Sequence, residues 1–151
     1  MELLPPPAGS TEGAPAHRRV IVYADGAGGL GHLHRTLTVL HRVVDADPGV
    51  TILLLTGLPV EPYFTLPEGC DTVRLPSRGE RAAELRRALV LAAAQSFHPD
   101  VALVDALPLG DELEATLFAL RRAGCRLVFG LDGAERALAA PERPPLRTAY
   151  A

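Results

Sequence analysis

Gly26-Ala27-Gly28-Gly29-Leu30-Gly31-His32 is the stretch of this 151-residue chain best suited to chemistry. Glycines so spaced let the backbone turn tightly and approach a ligand, and a helix opening on them offers free N–H groups and a positive partial charge. A phosphate, pyrophosphate or carboxylate fits such a turn. His32 falls in the first turn of that helix, where a neutral imidazole can take a proton from a hydroxyl. Asp105, which ends an apolar run, can orient His32 or hold a substrate hydroxyl, and Asp132 follows the next run. Each reading has a plainer counterpart. The loop can be a tight turn with no ligand, His32 a capping or packing group, and Asp105 an N-cap or Asx-turn acceptor before Leu107-Pro108.

Two further chemistries are disfavoured by spacing. The glycines match G-x-G-x-x-G, but a dinucleotide site also needs an acid at the end of the second strand to hold the ribose. That strand ends Leu55-Thr56-Gly57. His32 and His34 resemble a metal pair, yet residues two apart on a helix point to different faces, so no metal is expected.

The elements that must position these residues alternate in type. Val20 to Ala24, Thr51 to Thr56, Asp71 to Leu75, Val101 to Val104 and Arg126 to Phe129 are short apolar runs, most of them continuous, as strands buried on both faces require. Between them, helical periods run from Gly31 to Ala46 (Leu33, Leu37, Leu40 and Val44), from Arg81 to Phe97 (Leu85, Leu89 and Ala92) and from Glu112 to Ala123 (Leu113, Leu117 and Leu120). Such alternation predicts a parallel five-stranded sheet between helix layers, ordered 3-2-1-4-5. Ligands of such sheets bind beyond the carboxyl ends of the strands, where the order reverses, here between strands one and four. Cys70 and Cys125 fall near opposite edges, which disfavours a disulfide. Residues 1–17, rich in Pro, Gly and Ala, are expected to be a disordered lead-in to a domain over 18–140. Residues 141–151 are expected to form a frayed tail.

Composition removes several classes. All 15 basic residues are Arg, so the lysine of a P-loop, a Schiff base or a kinase-type ATP site is missing. A net charge of −3 argues against nucleic acid as a partner. The longest uncharged apolar run, Ala88 to Ala94, is far short of the ~18 residues of a membrane span. With no signal peptide at Met1 to Pro7, a cytoplasmic setting is expected, with peripheral contact at the inner face of a membrane left open.

Asp25 to Arg35, with its core Gly29-Leu30-Gly31-His32-Leu33-x-Arg35, resembles the first loop of a bacterial group of predicted glycosyltransferases. These are related to the family that adds N-acetylglucosamine to the lipid-linked peptidoglycan precursor. Leu55-Thr56-Gly57-x-Pro59, Leu66-Pro67-x-Gly69, Leu75-Pro76-Ser77, Phe97-x-Pro99-Asp100 and Val104-Asp105-x-x-Pro108-x-Gly110 match in the same order. Together they cover roughly residues 19–132. Where the group places a Lys after the strand-four Asp, this chain has Ala106.

The resemblance implies one Rossmann-like half of a two-domain, GT-B-type fold, with the acceptor bound here and a nucleotide-sugar donor on the other half. Gly28, Gly29, Leu30, Gly31 and His32 would then line the acceptor side near the donor phosphates, with His32 as base. The chain is expected to be inactive alone. A donor-binding partner subunit would dock where the glycine loop, Asp105 and Asp132 converge. No cofactor is implied. The alternative is a non-catalytic α/β module that binds an anion or nucleotide.

Overall fold

The computed structural model describes residues 17–25, 29–105 and 111–130. Gly26, Gly28 and Asp132, most of the expected lead-in and the whole expected tail lie outside them. The described elements are β1 (Arg19–Tyr23), α1 (Gly29–Ala46), β2 (Thr51–Thr56), β3 (Cys70–Arg74), α2 (Glu80–Phe97), β4 (Val101–Val104), α3 (Asp111–Arg122) and β5 (Arg126–Phe129). The five strands form one parallel sheet in the expected order, β3-β2-β1-β4-β5. This is a Rossmann-like α/β fold.

Alternation along the central strands sorts the core into two layers. Val22, Ile52 and Leu54 pack against Leu33, Leu37 and Leu40 of α1. From the other side of the sheet, Ile21, Tyr23, Leu55, Ala102 and Val104 meet Val90 and Ala94 of α2 and Leu113, Leu117 and Leu120 of α3. Strands buried from both sides have no polar face to display, which is why their runs are continuous. Cys70 opens β3 and Cys125 precedes β5, so the two buried thiols lie near opposite edges of the sheet.

The inward face of α2 differs from the expected one. Leu85 is 52% exposed and Ala92 is also exposed, whereas Arg86, Val90 and Ala94 are buried, with Leu89 half-buried beside them. A shift of one residue turns a helix by about 100°. An arginine inside a helical period is normally assigned to solvent. Here Arg86, only 1% exposed, faces inward because buried carboxylates await it.

Candidate functional site

Two carboxylates mark the ends of the adjacent central strands. Past β1 the chain keeps its ladder through Ala24, whose N–H reaches Leu55 O at 3.0 Å, and then delivers Asp25. Past β4, the Asp105 N–H reaches Tyr23 O at 2.8 Å. Both side chains are buried. Because β1 leads on through α1 to β2 on one side while β4 leads to β5 on the other, these two acids stand where the sheet order reverses.

Asp105 and His32 are brought together as expected, but through a different atom. His32 Nε2 lies 2.6 Å from the Asp105 main-chain carbonyl and 3.5 Å from Oδ2 of its carboxylate. The carboxylate is taken mainly by α1. The Thr36 hydroxyl donates to Oδ2 at 2.6 Å, and Arg35 Nη2 lies 3.4 Å from Oδ1. Arg35 Nη2 is also 3.3 Å from His32 Nδ1. His32, Arg35 and Thr36 sit three and four residues apart, so one helical face presents all three to the end of β4. Gly130, just past β5, leaves the space that the acid occupies, since a Cβ there would lie 2.4 Å from Asp105 Oδ1.

Asp25 anchors a second cluster. Arg86 donates through Nη2 to Asp25 Oδ2, through Nη1 to the Pro76 carbonyl and through Nε to Glu112 Oε2 at 2.8 Å. The Tyr23 hydroxyl donates to Glu112 Oε1. Arg78, half exposed, closes the cluster from solvent, with Nη2 3.3 Å from Asp25 Oδ2 and 3.7 Å from Glu112 Oε1. Asp25 Oδ1 accepts the Gly57 N–H at 3.2 Å. One guanidinium thus ties the ends of β1 and β3 to α2 and α3, while Asp25 reaches the end of β2.

The charges are matched, two arginines to two acids, and the ionisation of the members reflects it. Burial alone would raise the Glu112 carboxyl, but hydrogen bonds from Arg86 and Tyr23 and the charges of Arg86 and Arg78 outweigh it and lower the group. Burial would likewise depress Arg86, and its partners Glu112, Tyr23 and Asp25 raise it instead. Tyr23 is pushed up, first by burial and then by Glu112.

The described end of the glycine turn has the geometry that its residue types suggest. Gly29 adopts φ +60°, a left-handed conformation that favours glycine. An added Cβ at Gly29 or Gly31 would meet nothing within 4 Å among the described residues. Among the described residues, then, packing does not require glycine at 31 and nothing packs over the start of α1. Leu30 is partly exposed beside it. His34 points away from His32 and stacks on Phe64, with ring centroids 5.7 Å apart. Among the described residues no group of three His, Cys, Asp or Glu side chains could hold a metal ion.

Thr36, Asp25, Arg78, Arg86 and Glu112 were not marked as site residues by the sequence. Asp25 carried a usable signal, because it ends its strand as Asp105 ends β4. The others belong to helices or to a loop whose rotation and path no local pattern fixes.

No protein-family model matches the chain, and no curated protein matches it. Fold and site define a doubly wound α/β domain with two buried carboxylates and their polar partners at its switch point. No described helix is long and apolar enough to cross a membrane.

Proposed function

We propose that this domain is the acceptor-binding half of a glycosyltransferase. The observation that carries the reading is His32 held by Asp105 at the switch point, beside Gly29 and Gly31, over which no described residue packs. An acceptor hydroxyl gives its proton to His32 as its oxygen bonds to the anomeric carbon of a nucleoside diphosphate sugar. The bond from that carbon to the diphosphate breaks, and its electron pair leaves with the phosphate oxygen. The N-terminus of α1, which opens at Gly29, faces the diphosphate. Gly26, Gly28 and Asp132 belong to the same proposal by their place in the sequence. The donor sits on a second half, because reaction needs both substrates held at near-attack distance and this domain forms one wall. The setting is cytoplasmic, at most peripheral to a membrane.

One observation favours a non-catalytic anion-binding module instead: Arg35 lies against His32 Nδ1, where a base needs a free lone pair. Turnover separates the two. The 151-residue chain alone is expected to leave nucleotide sugars unconsumed, and robust turnover by it would overturn the two-half scheme. With a donor half supplied, His32→Ala should lower turnover by about 10²–10⁴-fold. Unchanged turnover would remove His32 from the chemistry.

A further inference from the structure

We infer that Arg35 selects the acceptor: it covers the basic nitrogen of His32 and yields it to a molecule that carries an anion close to its reacting hydroxyl. The substrate class that follows is a hydroxyl-bearing phosphate or carboxylate. The covering contact stands on geometry alone, while the fate of the hydroxyl rests on the transferase reading.

The tautomer comes first. His32 Nε2 lies 2.6 Å from a main-chain carbonyl, an atom that can only accept, so Nε2 carries the hydrogen. The lone pair of the neutral ring is then on Nδ1. Arg35 can only donate, and its Nη2 stands 3.3 Å from that nitrogen. The one atom of His32 able to take a proton from a hydroxyl is therefore engaged by a guanidinium. A base built for any hydroxyl would not be covered in this way.

The cover is reachable from solvent. Two of its contacts, with His32 Nδ1 at 3.3 Å and with Asp105 Oδ1 at 3.4 Å, are long for hydrogen bonds, and the Arg35 side chain is half exposed. When Arg35 shifts, the Asp105 carboxylate keeps the Thr36 hydroxyl at 2.6 Å, so no buried charge is left without a donor. The His32 ring stays in place as well, because the main-chain carbonyl holds it. A neutral hydroxyl competes poorly with a carboxylate for a guanidinium, whereas a phosphate or carboxylate can take two of its N–H groups at once. An acceptor whose anion engages Arg35 thus uncovers Nδ1 and brings its own hydroxyl to the uncovered lone pair.

The experiment uses the 151-residue chain with ¹⁵N-labelled histidine and arginine, and four probes: glycerol, inorganic phosphate, glycerol 3-phosphate and glycerate. Long-range proton–nitrogen spectra of the free protein should show the Nε2–H tautomer of His32. Phosphate should shift the Arg35 guanidinium saturably. Glycerol 3-phosphate or glycerate should shift both Arg35 and His32 Nδ1, and which of them does so separates phosphate from carboxylate. Glycerol should shift neither. Arg35→Gln, with its amide spectrum confirming the fold, should weaken binding of the anions by about tenfold or more. An Nδ1–H tautomer, a response to glycerol equal to that of the anions, binding by none of the anions, or full binding in Arg35→Gln would each overturn the inference. Its failure is distinct from failure of the transferase reading. Sugar transfer alongside an Nδ1–H tautomer sinks only the role of Arg35, and anion-gated exposure of Nδ1 without transfer sinks only the chemistry.

Discussion

Arg86→Met should be the most damaging single substitution in the described fold. Methionine keeps much of the length and apolar stem of arginine and deletes the guanidinium. Asp25 and Glu112 then lose the partner that holds both of them, and the Pro76 carbonyl loses a donor. Arg78 remains, but it is half exposed and reaches the two carboxylates only at 3.3 and 3.7 Å, so it replaces a fraction of the lost interaction. Breaking a buried pair by removing one partner costs about 3–5 kcal/mol. Against a typical domain stability of about 5–15 kcal/mol, that is a large share. At about 2–4 °C per kcal/mol for a chain of this size, Tm should fall by roughly 6–20 °C. The assay is urea unfolding at neutral pH followed by circular dichroism, with an unchanged m-value showing that the same surface is exposed. Adding Glu112→Leu should cost less than the two single losses summed, because the second acid no longer needs a partner. A loss below about 1 kcal/mol in Arg86→Met would mean that the acids are satisfied without the guanidinium, contrary to this expectation.

Acid should weaken the same cluster. The Glu112 carboxyl is held below its ordinary 4.5 in the folded state, so its contribution is complete above that value and is lost as pH falls through the lower, folded one. Glu112→Gln should flatten the stability–pH curve below pH 4.5, and an unaltered slope would contradict this. Gly130→Ala places a Cβ 2.4 Å from Asp105 Oδ1, and overpacking of this kind costs about 1–3 kcal/mol. Its urea midpoint should drop, and the Asp105 contact with Thr36 should loosen; a wild-type midpoint would show that the acid moves freely. Burial, with Asp71 adding to it, pushes the Cys70 thiol up to about 11 from an ordinary 9.0. At pH 8 the folded protein should therefore hold about a hundredfold less thiolate there than a free cysteine. Iodoacetamide labelling followed by mass spectrometry should be correspondingly slow, and labelling at the rate of a free thiol would contradict that burial.

Strand order was legible because continuous apolar runs alternate with helical periods, and few topologies satisfy both. Element bounds moved by one or two residues, as at α1, which begins at Gly29 rather than Gly31. The meeting of His32 with Asp105 was legible too, because the ends of β1 and β4 must adjoin at the switch point. What could not be read was which atom of Asp105 meets the ring. That depends on Thr36 and Arg35 competing for the carboxylate across 69 and 70 residues of chain. The rotation of α2 was hidden for a related reason. An apolar stripe on Leu85 and Leu89 is a sound reading of local sequence, and only the distant partners Asp25 and Glu112 make it favourable to turn Arg86 inward. Local pattern reports burial of apolar groups well; it carries no trace of a charge whose partner comes from another element.

On the proposed function, this chain meets its ligand between the ends of β1 and β4. Amide chemical-shift mapping with a nucleoside diphosphate sugar, and with pyrophosphate, is the decisive measurement. The largest saturable shifts should fall on Gly29 to Arg35 and on Asp105. Shifts spread evenly over the surface, or centred instead on the groove between the carboxyl ends of α2 and α3 around Leu91, His98 and Ala119, would contradict it.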